Sequence, residues 1–240
     1  MSRNKRKTII LLKLTILYLL AYCVIIISPI RTKLISLFIL FSPITYLLVL
    51  LFILRKKLIL KIIGSIVIVF TIILFSLKNR CVSIEEIRNT YVIELIKYEN
   101  TRYVWGGENI NGIDCSGLVR KGMINALFKL GVRNLSSKYL YEAFKIYIND
   151  FSAKSIKEEY KNMFTKLLEI DNLNTFDHSQ IMAGDILVTS NGVHTFAYVG
   201  NNKWIQADPG SNKVIVEAAP SKNNQWYEMK SVILRWKYFY

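Results

Sequence analysis

The chain has 240 residues, 52 % of them hydrophobic, and 32 Lys and Arg against 17 Asp and Glu give a formal charge of +15. Residues 1–78 hold twelve of the basic residues and no acid, so this apolar third carries +12 and residues 79–240 only +3. Phosphate binding needs a clustered basic excess on a folded surface, and the outer two thirds lack one, which excludes a nucleic-acid-binding protein on charge.

Three apolar runs open the chain, at about 8–28, 34–54 and 58–77. Each approaches the roughly 20 apolar residues that a helix needs to cross a hydrocarbon core. Lys13 stands near the start of the first run, where its side chain can snorkel. Pro43 kinks the second, which membrane helices tolerate, and Lys61 lies near one end of the third. A cleaved signal peptide is the rival reading of the first run, but no small-residue cleavage site follows it and two further runs do. Three retained spans are therefore expected. Arg3, Lys5, Arg6 and Lys7 then share one side with Arg55, Lys56, Lys57 and Lys61, while the first link holds only Arg31 and Lys33. The positive-inside rule puts the N-terminus in the cytoplasm and residues 79–240 outside.

Those outer residues suffice for one core. "SIEEIRNTYVIELIKYEN" (83–100) reads as an amphipathic helix with Ile84, Ile87, Tyr91, Leu95 and Tyr98 on one face, opened by a capping box of Ser83 and Glu86. A polar, Gly-rich loop, "TRYVWGGENINGIDCSG", follows. Helical spacing returns through Leu118, Val119, Met123, Leu127 and Leu130, with Gly131 as the expected C-cap. Helical spacing continues over 136–170, where Ile156, Tyr160, Met163, Phe164 and Leu167 form a stripe. After "AGD" (183–185) the period falls to two, in short runs separated by Asn, Gly, Pro and Ser. Helices first and antiparallel strands afterwards define an α+β domain.

Cys115 falls at the first turn of the helix after the Gly-rich loop, where free amides and the helix dipole favour a thiolate. Neither Cys23, in the first apolar run, nor Cys81, just past the third, is a natural disulfide partner for it. A nucleophilic thiol needs a base and the base an orienting group. Of the two histidines, His178 lies in a polar stretch that reads as solvated loop, and His194 opens the strand "HTFAYVG". A three-residue turn at "GNN" pairs Val199 with Lys203 and sets Phe196 opposite Gln206, so that His194 and Gln206 become diagonal neighbours on one face. A two-residue turn would put them on opposite faces.

"YVWGGENINGIDCSGLV", "AGDILV" and "HTFAYVGNNKWIQA", in that order, resemble the NlpC-type cell-wall cysteine peptidases, a papain-like family. The resemblance covers roughly 90–240 and implies a papain-like domain with Cys115 as nucleophile, His194 as base and Gln206 as third residue. It implies that the Tyr103 hydroxyl helps stabilise the oxyanion, that Asp114 and Ser116 hold the free amino end of a peptidoglycan stem peptide, and that Trp105 adds a substrate contact. No metal or cofactor is implied. Gln206 departs from the His common at its position, and the 79 residues from Cys115 to His194 imply a helical insertion at about 145–180. The resulting expectation is a stem-peptide hydrolase held in the bacterial cell membrane by contact with lipid, its domain on the extracytoplasmic side. The rivals are a non-catalytic wall-binding scaffold and a papain-like amidase or acyltransferase.

Overall fold

The computed structural model describes residues 3–53, 58–76 and 81–240. Helices α1 (Arg3–Ile27), α2 (Lys33–Ile53) and α3 (Leu58–Ser76) precede the outer domain. Two stretches, Ile9–Ile27 and Lys33–Ile53, are long and apolar enough to cross a membrane, not the three expected. Among the described residues, α3 offers only the apolar run Ile62–Ile73. At 1.5 Å per residue such a run is about 18 Å long, short of the ~30 Å core. The basic cluster Arg55, Lys56 and Lys57 and the end of the third expected span at residue 77 lie outside the described residues.

Polar contacts join α1 to α2. The Tyr18 and Tyr46 rings stack with centroids 4.2 Å apart, Tyr46 Oη donates to Thr15 Oγ1 at 2.5 Å, and Tyr22 Oη donates to the Ile39 carbonyl at 2.8 Å. In an apolar surrounding, such bonds between helices specify a pairing that apolar contact alone does not.

The outer domain has helices α4 (Ile84–Ile96), α5 (Cys115–Arg133), α6 (Ser137–Tyr147) and α7 (Ala153–Lys157). Its short strands β1 (Glu108–Asn109) and β2 (Gly112–Ile113) form a hairpin before α5. The main sheet consists of β3 (Phe164–Ile170), β4 (Ile186–Thr189), β5 (Thr195–Gly200), β6 (Lys203–Asp208), β7 (Lys213–Ala218) and β8 (Ser231–Trp236), antiparallel in the order β3-β8-β4-β5-β6-β7. Ser83 caps α4 by accepting from the Glu86 amide at 3.1 Å. The expected apolar faces of α4 and α5, among them Tyr91, Leu95, Leu118, Met123 and Leu127, are buried with Ile186, Val188, Ala197 and Ile205 of the sheet in one core.

Three local expectations are corrected. Gly131 is not the C-cap: α5 runs on to Arg133, and glycine is needed because a Cβ there would lie 2.8 Å from Leu140 of α6. The helix expected through 170 breaks at Glu159–Asn162, where Glu159, Lys161 and Asn162 take positive φ, and Phe164–Ile170 becomes the edge strand β3. Pairing with β8, from Phe164↔Trp236 to Ile170↔Ser231, overrides the helical spacing, although Ile156, Met163 and Phe164 are buried as a helical stripe would require. The segment at 145–180 is thus not a helical insertion; it supplies the end of α6, α7 and a sheet edge. His178 is not a solvated loop residue either. Its Nε2 accepts from Trp204 Nε1 at 3.0 Å, and its ring packs between Phe176 and Tyr198.

Two buried ion pairs brace the site. Asp185 of the "AGD" motif accepts from Arg235 of β8 at 2.7 and 2.6 Å. Arg120 of α5, 4 % exposed, bonds both oxygens of Glu108 in β1 and the Asn149 carbonyl. Removing one member of such a pair strands the other charge, so Arg120→Met should cost about 3–5 kcal/mol, and adding Glu108→Leu should return most of it. Thermal unfolding of the detergent-solubilised full chain, followed by near-ultraviolet circular dichroism, measures both variants.

Candidate active site

The chain enters the site through the loop before α5. Gly107 N–H bonds the Val104 carbonyl at 2.8 Å and Asp114 N–H the Gly107 carbonyl at 3.0 Å, a tight turn against β2. A Cβ on Gly107 would meet the Gly112 carbonyl oxygen at 2.6 Å, a steric requirement for glycine, while Gly106 is needed for its φ of +70°. Asp114 is the N-cap of α5: its Oδ1 accepts from Gly117 N–H at 2.6 Å and Ser116 Oγ at 3.1 Å, and its Oδ2 from Gly106 N–H at 2.8 Å. One carboxylate thus fastens the glycine loop to the helix. Both Asp114 and Ser116, expected to hold substrate, are engaged first with each other and with this loop.

Cys115 begins α5 and is 6 % exposed. The Thr195 backbone N–H is near enough to the sulfur to favour its charged form, which places the thiol near the start of β5, one residue beyond His194. His194 lies just before β5, where its N–H bonds Thr189 Oγ1 at 3.1 Å and its carbonyl accepts from Thr189 N–H at 3.0 Å. Across the sheet His194 Nε2 meets Gln206 Oε1 at 2.7 Å. An amide oxygen only accepts, so Nε2 carries the proton and Nδ1 keeps its lone pair.

The hairpin behind this contact solves the register problem in an unexpected way. The turn has two residues, Asn201 and Asn202, both at positive φ, with Gly200 paired to Lys203. A bulge between Tyr198 and Gly200 absorbs one residue, so Tyr198 pairs Trp204 and Ala197 pairs Ile205, the register a three-residue turn gives. His194 and Gln206 therefore meet despite the shorter turn.

Two further residues complete the surroundings. The Trp226 ring stacks on the His194 imidazole with centroids 4.2 Å apart, and its Nε1 donates to Asp208 Oδ1 at 3.0 Å. A cleft of about 530 Å³ opens beside them, lined in part by Asp208, Ser211, Glu217 and Trp226. Asp208 shares a face of β6 with Gln206 and was within reach of period-two reasoning; Trp226 comes from a distant short helix and has no local signal. Trp105 is 77 % exposed.

Electrostatics reverse one expectation. Burial, and then the Asp114 carboxylate, push the Cys115 thiol up to about 12, against the backbone N–H groups of Thr195, Ser116 and Cys115 itself. The N-cap carboxylate already occupies the positive end of α5, so the helix dipole has little left to offer a thiolate. Burial pulls His194 down to about 4, opposed by its bond to Gln206 and by the Asp208 charge. Tyr103 is raised to about 12 by burial and by its nearness to Cys115, Asp114 and Asp208. It therefore remains a hydroxyl donor beside the sulfur. Both shifts favour the neutral form, thiol at Cys115 and imidazole at His194.

A papain-like α+β hydrolase fold is what this helix-borne cysteine, strand-borne histidine and antiparallel sheet define. The NlpC/P60 family model matches residues 100–235, and the chain belongs to that family. No curated protein matches the chain. Among solved structures, it is similar to the NlpC/p60 domain of the peptidoglycan hydrolase SagA, at 21 % identity over 61 % of this chain and 97 % of that one, with a TM-score of 0.37. It is similar to the peptidoglycan hydrolase RipB from Mycobacterium tuberculosis at 18 % identity, over 63 % of this chain and 65 % of that one, with a TM-score of 0.40. An N-acetylmuramoyl-L-alanine amidase from Bacteroides uniformis matches at 15 % identity over 63 % of this chain and 99 % of it, also at 0.40.

The shifted groups set a pH dependence. The unfolded thiol ionises near 9 and the folded one near 12, so stability falls as pH rises through that window. The unfolded imidazole takes up its proton below 6.5 and the folded one only near 4, so stability also falls as pH drops from 6.5 and levels off near 4. Alkylation of Cys115 by iodoacetamide, read by peptide mass spectrometry so that exposed Cys23 and Cys81 do not interfere, should be slow at neutral pH and climb above pH 9. A fast plateau at neutral pH would mean a preformed thiolate–imidazolium pair instead.

Proposed function

We propose that this chain is a membrane-anchored peptidoglycan hydrolase that cleaves a stem-peptide bond, between D-glutamate and the diamino acid, through Cys115, His194 and Gln206. The observation that carries the reading is the buried His194–Gln206 hydrogen bond at 2.7 Å, made by an imidazole next in sequence to Thr195, whose N–H favours a charged Cys115 sulfur. A scaffold has no use for that arrangement.

In this mechanism the Cys115 sulfur attacks the carbonyl carbon while its proton passes to His194 Nδ1. The carbonyl π pair moves onto oxygen, which the Cys115 backbone N–H and the Tyr103 hydroxyl stabilise. Collapse breaks the C–N bond as the imidazolium returns its proton to the leaving amine. Water, deprotonated by Nδ1, then releases the acid and restores the thiol. Gln206 keeps the proton on Nε2 and the ring in place. The cleft beside Trp226 and Asp208 accommodates the peptide, while Asp114 and Ser116 contact its amino-terminal part.

Membrane anchoring draws support from two sets of contacts. The polar bonds between α1 and α2 would be lost if α1 were removed as a signal peptide. The α1–α2 link also touches the peptidase loop, since Ile30 and Gly107 form an antiparallel bridge. Link and domain therefore lie on one side of a bilayer crossed by α1 and α2, the extracytoplasmic side by the positive-inside rule. A reporter fused at Tyr240 should be active outside the cytoplasm and silent within it.

Mass spectrometry of muropeptides treated with the full chain in detergent tests the chemistry. Cys115→Ala should abolish product. Gln206→Ala should lower kcat by about ten- to a few hundredfold, the scale of positioning effects, and Gln206→His should retain most of it. Full turnover in Gln206→Ala would remove Gln206 from the mechanism.

A further inference from the structure

An α-helix leaves its last four carbonyls without intrahelical partners, and at the end of a membrane span those groups need donors. In α1 each has one. Val24 receives the Ser28 N–H at 3.0 Å, and the Arg31 guanidinium bonds Ile25 at 3.1 Å and Ile26 at 2.7 Å. The remaining donor comes from the peptidase domain: Asn111 Nδ2 bonds the Ile27 carbonyl at 2.9 Å, and Asn109 Nδ2 bonds the next carbonyl, Ser28, at 2.7 Å. The backbone repeats the attachment, with Glu108 N–H on the Pro29 carbonyl at 2.9 Å and Arg31 N–H on the Gly106 carbonyl at 2.7 Å.

The residues between these anchor points are apolar and uncovered. Ile110, flanked by the two asparagines at the tip of the β1–β2 hairpin, is 74 % exposed; Trp105, next to Gly106, is 77 % exposed, and Ile30 is 47 % exposed. Ile27 ends the apolar stretch Ile9–Ile27, so its carbonyl marks the level at which that stretch leaves hydrocarbon. Asn111 is bonded to that carbonyl, which fixes Ile110 at the same level. Trp is the side chain favoured at the headgroup layer, with an apolar ring and one N–H.

We propose that the loop leading to Cys115 docks on the bilayer itself, with Trp105, Ile110 and Ile30 in the headgroup layer of phospholipid and Asn109 and Asn111 locking the loop to the end of α1. The proposal rests on the reading of α1 and α2 as membrane spans and is independent of the chemistry at Cys115. It assigns Trp105 to lipid.

The test uses the full chain in vesicles of phosphatidylethanolamine and phosphatidylglycerol that carry bromine at shallow or deep acyl positions. Trp105 emission is the difference between the parent and Trp105→Phe. Shallow bromines should quench that emission at least about twofold more than deep ones, as expected for a headgroup-level ring. Asn109→Ala with Asn111→Ala should halve the quenching, or reduce it further, while the chain still floats with the vesicles. Trp105 emission indifferent to bromine and freely quenched by aqueous acrylamide overturns the docking but leaves the anchor intact. A chain that fails to float, or that alkaline carbonate strips from the vesicles, overturns the anchor and the docking together.

Discussion

The Asp114 carboxylate ties together parts of the chain that have no other reason to meet. With one oxygen it caps α5, and with the other it holds the amide of Gly106 eight residues back. Cys115 is the next residue, so its position is fixed by a bond within its own loop before any contact with the sheet. That loop then pairs outward: Tyr103 N–H with the Asn212 carbonyl beside β7, and Ile113 N–H with the Arg102 carbonyl. Without the carboxylate the turn would keep its backbone bonds but lose the side-chain link between Gly106 and the first turn of α5.

The same carboxylate costs the site something. It is buried, it raises the thiol together with desolvation, and it takes the place that a thiolate would have had at the helix end. What results is a cysteine whose neutral form is favoured. His194 is likewise favoured in its neutral form by burial, with one nitrogen committed to Gln206 and a flat indole against its face. Charge formed here would be felt strongly, because the surroundings are of low polarity.

Much of this was legible in the chain. The apolar faces of α4 and α5 follow from spacing because helical packing is a local rule, and Cys115, His194 and Gln206 follow from short motifs in a fixed order. The failures share one cause: each was decided by a partner distant in sequence. Phe164–Ile170 is a strand because β8 lies beside it. Position 131 is a glycine inside the last turn of α5 because Leu140 packs where a Cβ would stand. His178 is held by Trp204, and Trp226 covers His194 from a loop that no motif connects to it. The hairpin shows a subtler limit, since an unforeseen bulge compensated for a turn one residue shorter than expected.

Backbone pairing runs without a break from β7 through residues 100–103 and 112–113 to Gly107 and on to Ile30 at the end of α1. A domain joined in this way has no hinge. With α1 as a span, any tilt that a thicker or thinner bilayer imposes on that helix turns the catalytic cleft by the same angle. Hydrophobic mismatch then becomes a mechanical input, and the direction in which the domain faces is set by the thickness of the lipid beneath it.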